Sequence, residues 1–465
     1  METVKKRDKL HTVLIAVVLL VAFGGLFLMG DYGIAGDSQT YLLMGINREP
    51  LYPLFLWGLR RLFGEETFYV QLAFLQNLFA YLSVLCLMSY IGRRLFHSSW
   101  GKWLAALLLT MPYLLTPLFS RSHLVMTNKI MAEGITLPGY YFFVLYLLKI
   151  IYEERNFFKN MVCAAVISAL LVLARGQLML TIIVLAIVIC IRLIRDKEYR
   201  RLYFPFIIGV ILFIGTGFLT KLYHYGSSGV FVATASSKPM ILANVLYVSE
   251  YEDGADIEDT DLALLFQQTY AALDRDQKLS KYAGDGIIDK ALHHEDCHDT
   301  ISFDYFEPTK NGIYENRTDN AYSSYLILQD QVAADLTEEL LANNWDRYLV
   351  NYLHVCVLGF IRSIAVVHPI LNIYVIFAYL TGLVLLFYTW KKKGFTKEVF
   401  FFGMTYIMII GFVTATSLFL QCITRYMIYN FPFFYIAGAS LLFSLLPQKQ
   451  DGEERNKNGI QRFEI

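Results

Sequence analysis

The sequence predicts an all-α polytopic membrane protein, and three observations carry that reading. Of 465 residues, 56% are hydrophobic and only 17% charged, where a soluble chain carries about a quarter of its residues charged. Runs of roughly 18 or more apolar residues recur, each able to cross a ~30 Å hydrocarbon layer. The formal net charge of zero is a sum of opposites: residues 224–347 hold 23 Asp and Glu against 8 Lys and Arg, a balance of −15. Elsewhere the basic residues gather in short loops, as the positive-inside rule requires. Their dispersal over loops, with no single basic face, argues against nucleic-acid binding. The six cysteines are scattered and imply no disulfide framework.

Lys5, Lys6, Arg7 and Lys9 place the N-terminus in the cytoplasm. The first apolar run, about 11–29, is long enough to anchor and lacks a small-residue cleavage site; it delivers 31–48 to the outer face. Residues 51–63 end in Arg60 and Arg61 and are too short to span, so they predict an interfacial helix. Spans follow at about 68–91, 103–119 and 131–151. A tight helical hairpin over 161–194 then turns at Ala174-Arg175-Gly176-Gln177, and another span covers 203–222.

The acidic stretch 223–344 is the one soluble segment of any size, long enough for a small core, with helical pattern at 261–273 and 321–342. Residues 345–367 mix apolar positions with Arg347, His354 and Arg362 and predict an amphipathic interfacial helix. Spans at 370–390, 399–420 and 427–446 bring the count to ten. Each expected outer loop is short or acidic and each inner one basic. The chain divides into a transmembrane module at 1–222, an acidic extracytoplasmic part at 223–369, a second transmembrane module at 370–447 and a cytoplasmic tail at 448–465.

One loop stands out. Residues 36–53, GDSQTYLLMGINREPLYP, set Asp37, Tyr41, Arg48 and Tyr52 just beyond the first span. Ionisable groups beside apolar helices are costly to keep and are functional candidates. Asp37 reads either as an N-cap, since Asp-Ser opens helices, or as a general base whose pKa burial raises toward the working range. Asp31, in the same loop, has no polar neighbour nearby. Glu133 opens the fourth span after Arg121, His123 and Lys129. It reads either as an acid on the helix dipole or as a second carboxylate beside Asp37.

Arg48, Arg175 and Arg425 are single arginines at outer helix ends, against the positive-inside trend. They read as snorkelling to lipid phosphates or, with Lys129, as a converging anion site. Guanidinium groups grip phosphate through paired bonds and stay charged in a low dielectric. The histidine-rich 293–298 lacks zinc-ligand spacing and reads as a solvated loop; the acid-rich 253–261 lacks calcium-loop spacing. Asn316-Arg317-Thr318 is a formal glycosylation sequon.

Five segments in order resemble the GT-C membrane glycosyltransferases. They are GDSQTY, REPLYPLFL, the acid opening the fourth span, ALLVLARGQ and ITRYMIYNFPFF. The branch resembled is that of the protein O-mannosyltransferases and bacterial aminoarabinose transferases. The resemblance covers the apolar skeleton and leaves out 223–344. It implies a GT-C-like bundle and inverting transfer of a hexosyl or pentosyl unit from a polyprenyl-phosphate donor. The acceptor would be a lipid, glycan or protein at the outer face.

By the same resemblance Asp37 is the catalytic base and Glu133 stands at the second acid. Arg175 and Arg425 would be the phosphate contacts, and Tyr41, Arg48 and Tyr52 would line the donor or acceptor groove. The converging anion site read from the residues adds Arg48 and Lys129 to the phosphate set, and Tyr426 is expected to line the groove beside Arg425. Ser38 stands where relatives often carry an acid, and Glu133 where they usually carry Asp. The scheme requires no metal cofactor, and the resemblance leaves a divalent cation open. A lipid-glycan polymerase or ligase would share the substrate type without the loop order. A transporter would set charges mid-span in broken helices, often in repeated halves, and a sensory or structural protein would leave Asp37 and the outer arginines without a role.

Overall fold

Apolar length dictates the architecture. The computed structural model of the chain describes residues 2–96, 98–119, 124–314 and 321–446. Arg121, His123, the sequon at Asn316 and the tail 448–465 lie outside the described residues. The chain opens with α1 (Glu2–Leu28), a five-residue α2 (Ser38–Leu42) and α3 (Leu51–Phe63). There follow α4 (Phe68–Ile91), α5 (Ser99–Phe119), α6 (Glu133–Tyr152), α7 (Phe157–Ala174), α8 (Leu180–Arg195) and α9 (Tyr203–Ser228). The acidic segment holds α10 (Lys238–Val248), α11 (Thr260–Arg275), α12 (Ile287–Thr300), α13 (Glu307–Tyr314) and the first part of α14 (Tyr322–Ile364). The chain returns through α15 (Pro369–Lys393), α16 (Lys397–Phe419), the one-turn α17 (Thr424–Met427) and α18 (Phe431–Leu445).

Among the described residues, ten helical segments are long and apolar enough to cross a membrane, so this is a multi-pass, all-helical membrane protein. Their burial is uneven. The most apolar stretch of α6 is 72% buried, while those of α9 and α15 are 11% buried. A helix surrounded by protein must be apolar on all sides, and one facing lipid can be. Thus α6 is the central post of the bundle, and α9 and α15 form its lipid-facing edge. One apolar core joins α1, α4, α5, α6, α8, α16 and α18, and a second, separate core holds α10 to α14.

Of two elements, one meets the expectation and the other, residues 293–298, differs from it. Residues 321–342 and 345–367 are expected as separate helices, and α14 is two helices running together, with a kink between them at Asn344 (φ −134°, ψ 19°). Asn344 is fully buried and donates from its side-chain amide to Ser249 Oγ at 3.0 Å, which ties the kink to the end of α10. The 293–298 stretch is no solvated loop. It lies within α12, where His294 Nε2 donates to Asn244 Oδ1 at 2.7 Å and His298 Nε2 faces the Met240 carbonyl at 3.1 Å.

Candidate active site

The loop after α1 is shaped by backbone conformation first. Gly30 (φ 70°) and Asp31 (φ 55°) turn the chain, and Gly33 (φ 127°) continues in a conformation that glycine alone adopts freely. There Gly33 pairs in parallel with Lys129, its carbonyl accepting from Ile130 N–H at 2.9 Å. The buried Ser38 hydroxyl donates to Ile130 O at 2.9 Å. These bonds stitch the Asp37 loop to the loop that leads into α6, and so bring Asp37 and Glu133 together across almost a hundred residues.

Asp37 occupies the N-cap position of α2 but makes no side-chain cap bond. Its carboxylate turns instead to two arginines. Arg48 Nη2 donates to Oδ1 at 2.9 Å, and Arg425 Nη2 donates to Oδ2 at 3.3 Å. Arg425 also reaches Glu133, its Nε lying 3.6 Å from Oε1, and Arg175 Nη1 meets that same oxygen at 2.6 Å. The five charges therefore alternate as Arg48, Asp37, Arg425, Glu133 and Arg175. Three cations against two anions leave the row one positive charge in excess.

Aromatic rings complete the frame. The Arg48 guanidinium lies 4.4 Å from the Tyr41 ring centre, and those of Arg175 and Arg425 lie 4.4 and 5.0 Å from that of Tyr426. Such cation–π contacts hold planar guanidiniums in place where water is scarce. Thr40 accepts from Arg48 Nε at 2.7 Å. Glu133 is set by close packing of α6 on α4: a Cβ at Gly134 would stand 2.2 Å from Gln76 Oε1. Arg175 sits in the extended break between α7 and the turn Gly176–Met179, a gap in the helix that frees its side chain to point at Glu133.

The electrostatics correct one expectation. Burial opposes ionisation of Asp37, but Arg48, Arg425 and Arg175 outweigh it and hold the carboxyl below the ordinary value of 3.8. Asp37 is thus a standing carboxylate, not an acid with a raised pKa. Burial pushes the Tyr41 phenol up to about 12, so it stays neutral beside Arg48.

Not every candidate arrives here. Lys129 pairs with Asp31 at 2.6 Å, so it leaves the arginine cluster and gives Asp31 the partner that its sequence neighbours lack. Tyr52 is fully buried; it packs edge-on behind Tyr41 at 5.0 Å between ring centres and donates to Gln76 Oε1 at 3.1 Å. It backs the groove instead of lining it.

Glu49 went unremarked in sequence. Its two oxygens accept from Thr234 at 2.9 Å and Thr220 at 3.2 Å, and burial pushes its pKa up against those bonds. A Cβ at Gly176 would come 2.8 Å from Glu49 Oε1, so the residue after Arg175 must be small for Glu49 to fit. Glu49 is the one acid of the REPLYPLFL run and stands beside Arg48, but nothing in those nine residues points to its partners.

Among the described residues no group of three His, Cys, Asp or Glu side chains is placed to hold a metal ion. A scan against protein families finds no match, and a search of curated proteins finds none. Among solved structures, the crystal structure of ArnT from Cupriavidus metallidurans bound to undecaprenyl phosphate overlaps loosely. Its TM-score is 0.35 at 12% identity, over 92% of this chain and 77% of that one.

Proposed function

We propose that this protein is a GT-C-type membrane glycosyltransferase. It moves a sugar from a polyprenyl-phosphate donor to a hydroxyl of a lipid, glycan or protein acceptor, at the outer face of the membrane. The observation that carries this reading is the alternating row of charges at one end of the helix bundle, with its single excess cation and one accessible carboxylate. The order of motifs from GDSQTY to ITRYMIYNFPFF supports the same chemistry, and the Lys and Arg in the short opposite loops, such as Arg93, Arg94 and Lys391–Lys393, support the orientation.

In this reading the lipid tail of the donor stays in the bilayer and its phosphate engages Arg48 and Arg425. Phosphate draws those guanidiniums away from Asp37, and the carboxylate becomes more basic as the substrate binds. The acceptor O–H then gives its proton to Asp37 while its oxygen bonds to the anomeric carbon. The bond from that carbon to the phosphate oxygen breaks on the opposite face, and the phosphate leaves with the electron pair. The anomeric centre is inverted. Fixed guanidiniums stabilise the charge developing on the departing group, while Glu133 holds Arg175 and Arg425 in register.

The test is complementation. Cells lacking the protein should lose one sugar from a lipid-linked glycan or envelope polymer, and the wild-type gene should restore it. Asp37→Asn should express and fold normally yet restore transfer at a rate about 100- to 10,000-fold lower, the usual worth of a general base. Full restoration by Asp37→Asn would remove Asp37 from that role.

A further inference from the structure

The acidic segment carries a cavity of about 290 Å³ between α10, α12 and α14, lined by Lys281, Lys290, Arg347 and His354 and by a single acid, Asp346, among others. Its charge is out of keeping with its surroundings. Residues 224–347 contain only 8 Lys and Arg against 23 acids, yet three of those eight line this one cavity. Arg347 is committed to Asp253 at 2.5 Å and Lys281 to Asp274 at 2.5 Å. Lys290 has no carboxylate partner among the described residues.

The cavity also sits at a defined level. Tyr348, next to Arg347, donates to the carbonyl of Leu418 at 2.8 Å, one residue before the end of the span α16. Arg347 is therefore level with that mouth of the bundle, where hydrocarbon gives way to water. On α14, the face beside the cavity's Asp346, Val350 and His354 carries an apolar stripe at four-residue spacing: Trp345, Leu349 and Leu353 are 62%, 45% and 53% exposed. A tryptophan heading a leucine stripe beside basic residues is the pattern of a helix lying at a bilayer interface.

We propose that this cavity binds the phosphate headgroup of an anionic membrane phospholipid. Lys290 meets the phosphate with Lys281 beside it, and the acyl chains lie along Trp345, Leu349 and Leu353. Burial and the Lys290 charge both lower the His354 pKa, so its neutral ring can share a hydrogen bond with a phosphate oxygen without adding charge. The site is separate from the row that runs from Arg48 to Arg175. It would moor the acidic segment, which is otherwise repelled by an anionic membrane.

The test uses the full chain reconstituted in phosphatidylcholine bilayers with phosphatidylglycerol brominated on its acyl chains. The readout is quenching of Trp345, taken as the difference from Trp345→Phe. Brominated phosphatidylglycerol should quench Trp345 at about fivefold lower mole fraction than brominated phosphatidylcholine, one basic contact's worth. Lys290→Glu should abolish the preference; if that variant does not fold, Lys290→Gln serves. Equal quenching by the two lipids, or an unchanged preference in a folded Lys290 variant, overturns the proposal. So does a preference that soluble inorganic phosphate removes in competition, which would mark a site for free phosphate.

Discussion

The two ends of the charged row differ in water and not in chemistry. At one end the Asp37 side chain is 40% exposed; at the other that of Glu133 is 4% exposed. Both are carboxylates and both face Arg425. Removing an acid at the wet end leaves guanidiniums that water can solvate, so little stability is lost. Removing the acid at the dry end leaves the Arg175 guanidinium with the Tyr426 ring beside it but no carboxylate in place of Glu133. In the proposed chemistry one carboxyl group is the reagent and the other a brace, and their exposures match those parts.

The largest effect should come from breaking the brace. Glu133→Gln is expected to lose about 3–5 kcal/mol of stability, as for a buried pair robbed of one partner, while Asp37→Asn stays near wild type. A thermal-unfolding series in detergent compares them. Equal melting shifts for the two variants would erase the distinction between the ends.

Arg425 is the link, touching both acids, and its loss should weaken function more than fold. Arg425→Ala should lower kcat/KM for the polyprenyl-phosphate sugar by about 100- to 1,000-fold, the worth of one preorganised donor to a developing anion. Arg425→Lys should recover only part, because an ammonium cannot span two carboxylates as a planar fork does. Donor kinetics unchanged in Arg425→Ala would dismiss the phosphate contact.

A smaller effect sharpens the wet end. The folded-state pKa of Asp37 lies below its ordinary 3.8, with Arg48 the foremost cation opposing burial. Its charged form is therefore fully present above 3.8 and is lost as pH falls through the lower, folded value. The acid limb of kcat/KM for the free enzyme should lie below 3.8, and Arg48→Gln should move that limb upward. A limb that stays put in Arg48→Gln would mean that another group sets it.

Much of this molecule was legible because the signals are local. A span is a property of twenty consecutive residues, so ten spans could be counted without knowing how they pack. Asp37 and Arg425 drew attention because a charge next to an apolar run is conspicuous wherever it lies. Glu49 was not legible, because its significance rests on Thr220 and Thr234, more than 170 residues away. Asp31 read as partnerless for the same reason, its cation being Lys129.

By itself the sequence determined that the chain is helical, crosses the membrane repeatedly, and gathers a few stray arginines and acids at helix ends. Composition and periodicity suffice for that, since burying backbone amides in hydrocarbon permits few alternatives. Only the tertiary structure decided which charges meet, in what order they alternate, and which carboxylate keeps its water. Those outcomes depend on contacts between residues far apart in the chain, and on a desolvation that no residue carries alone.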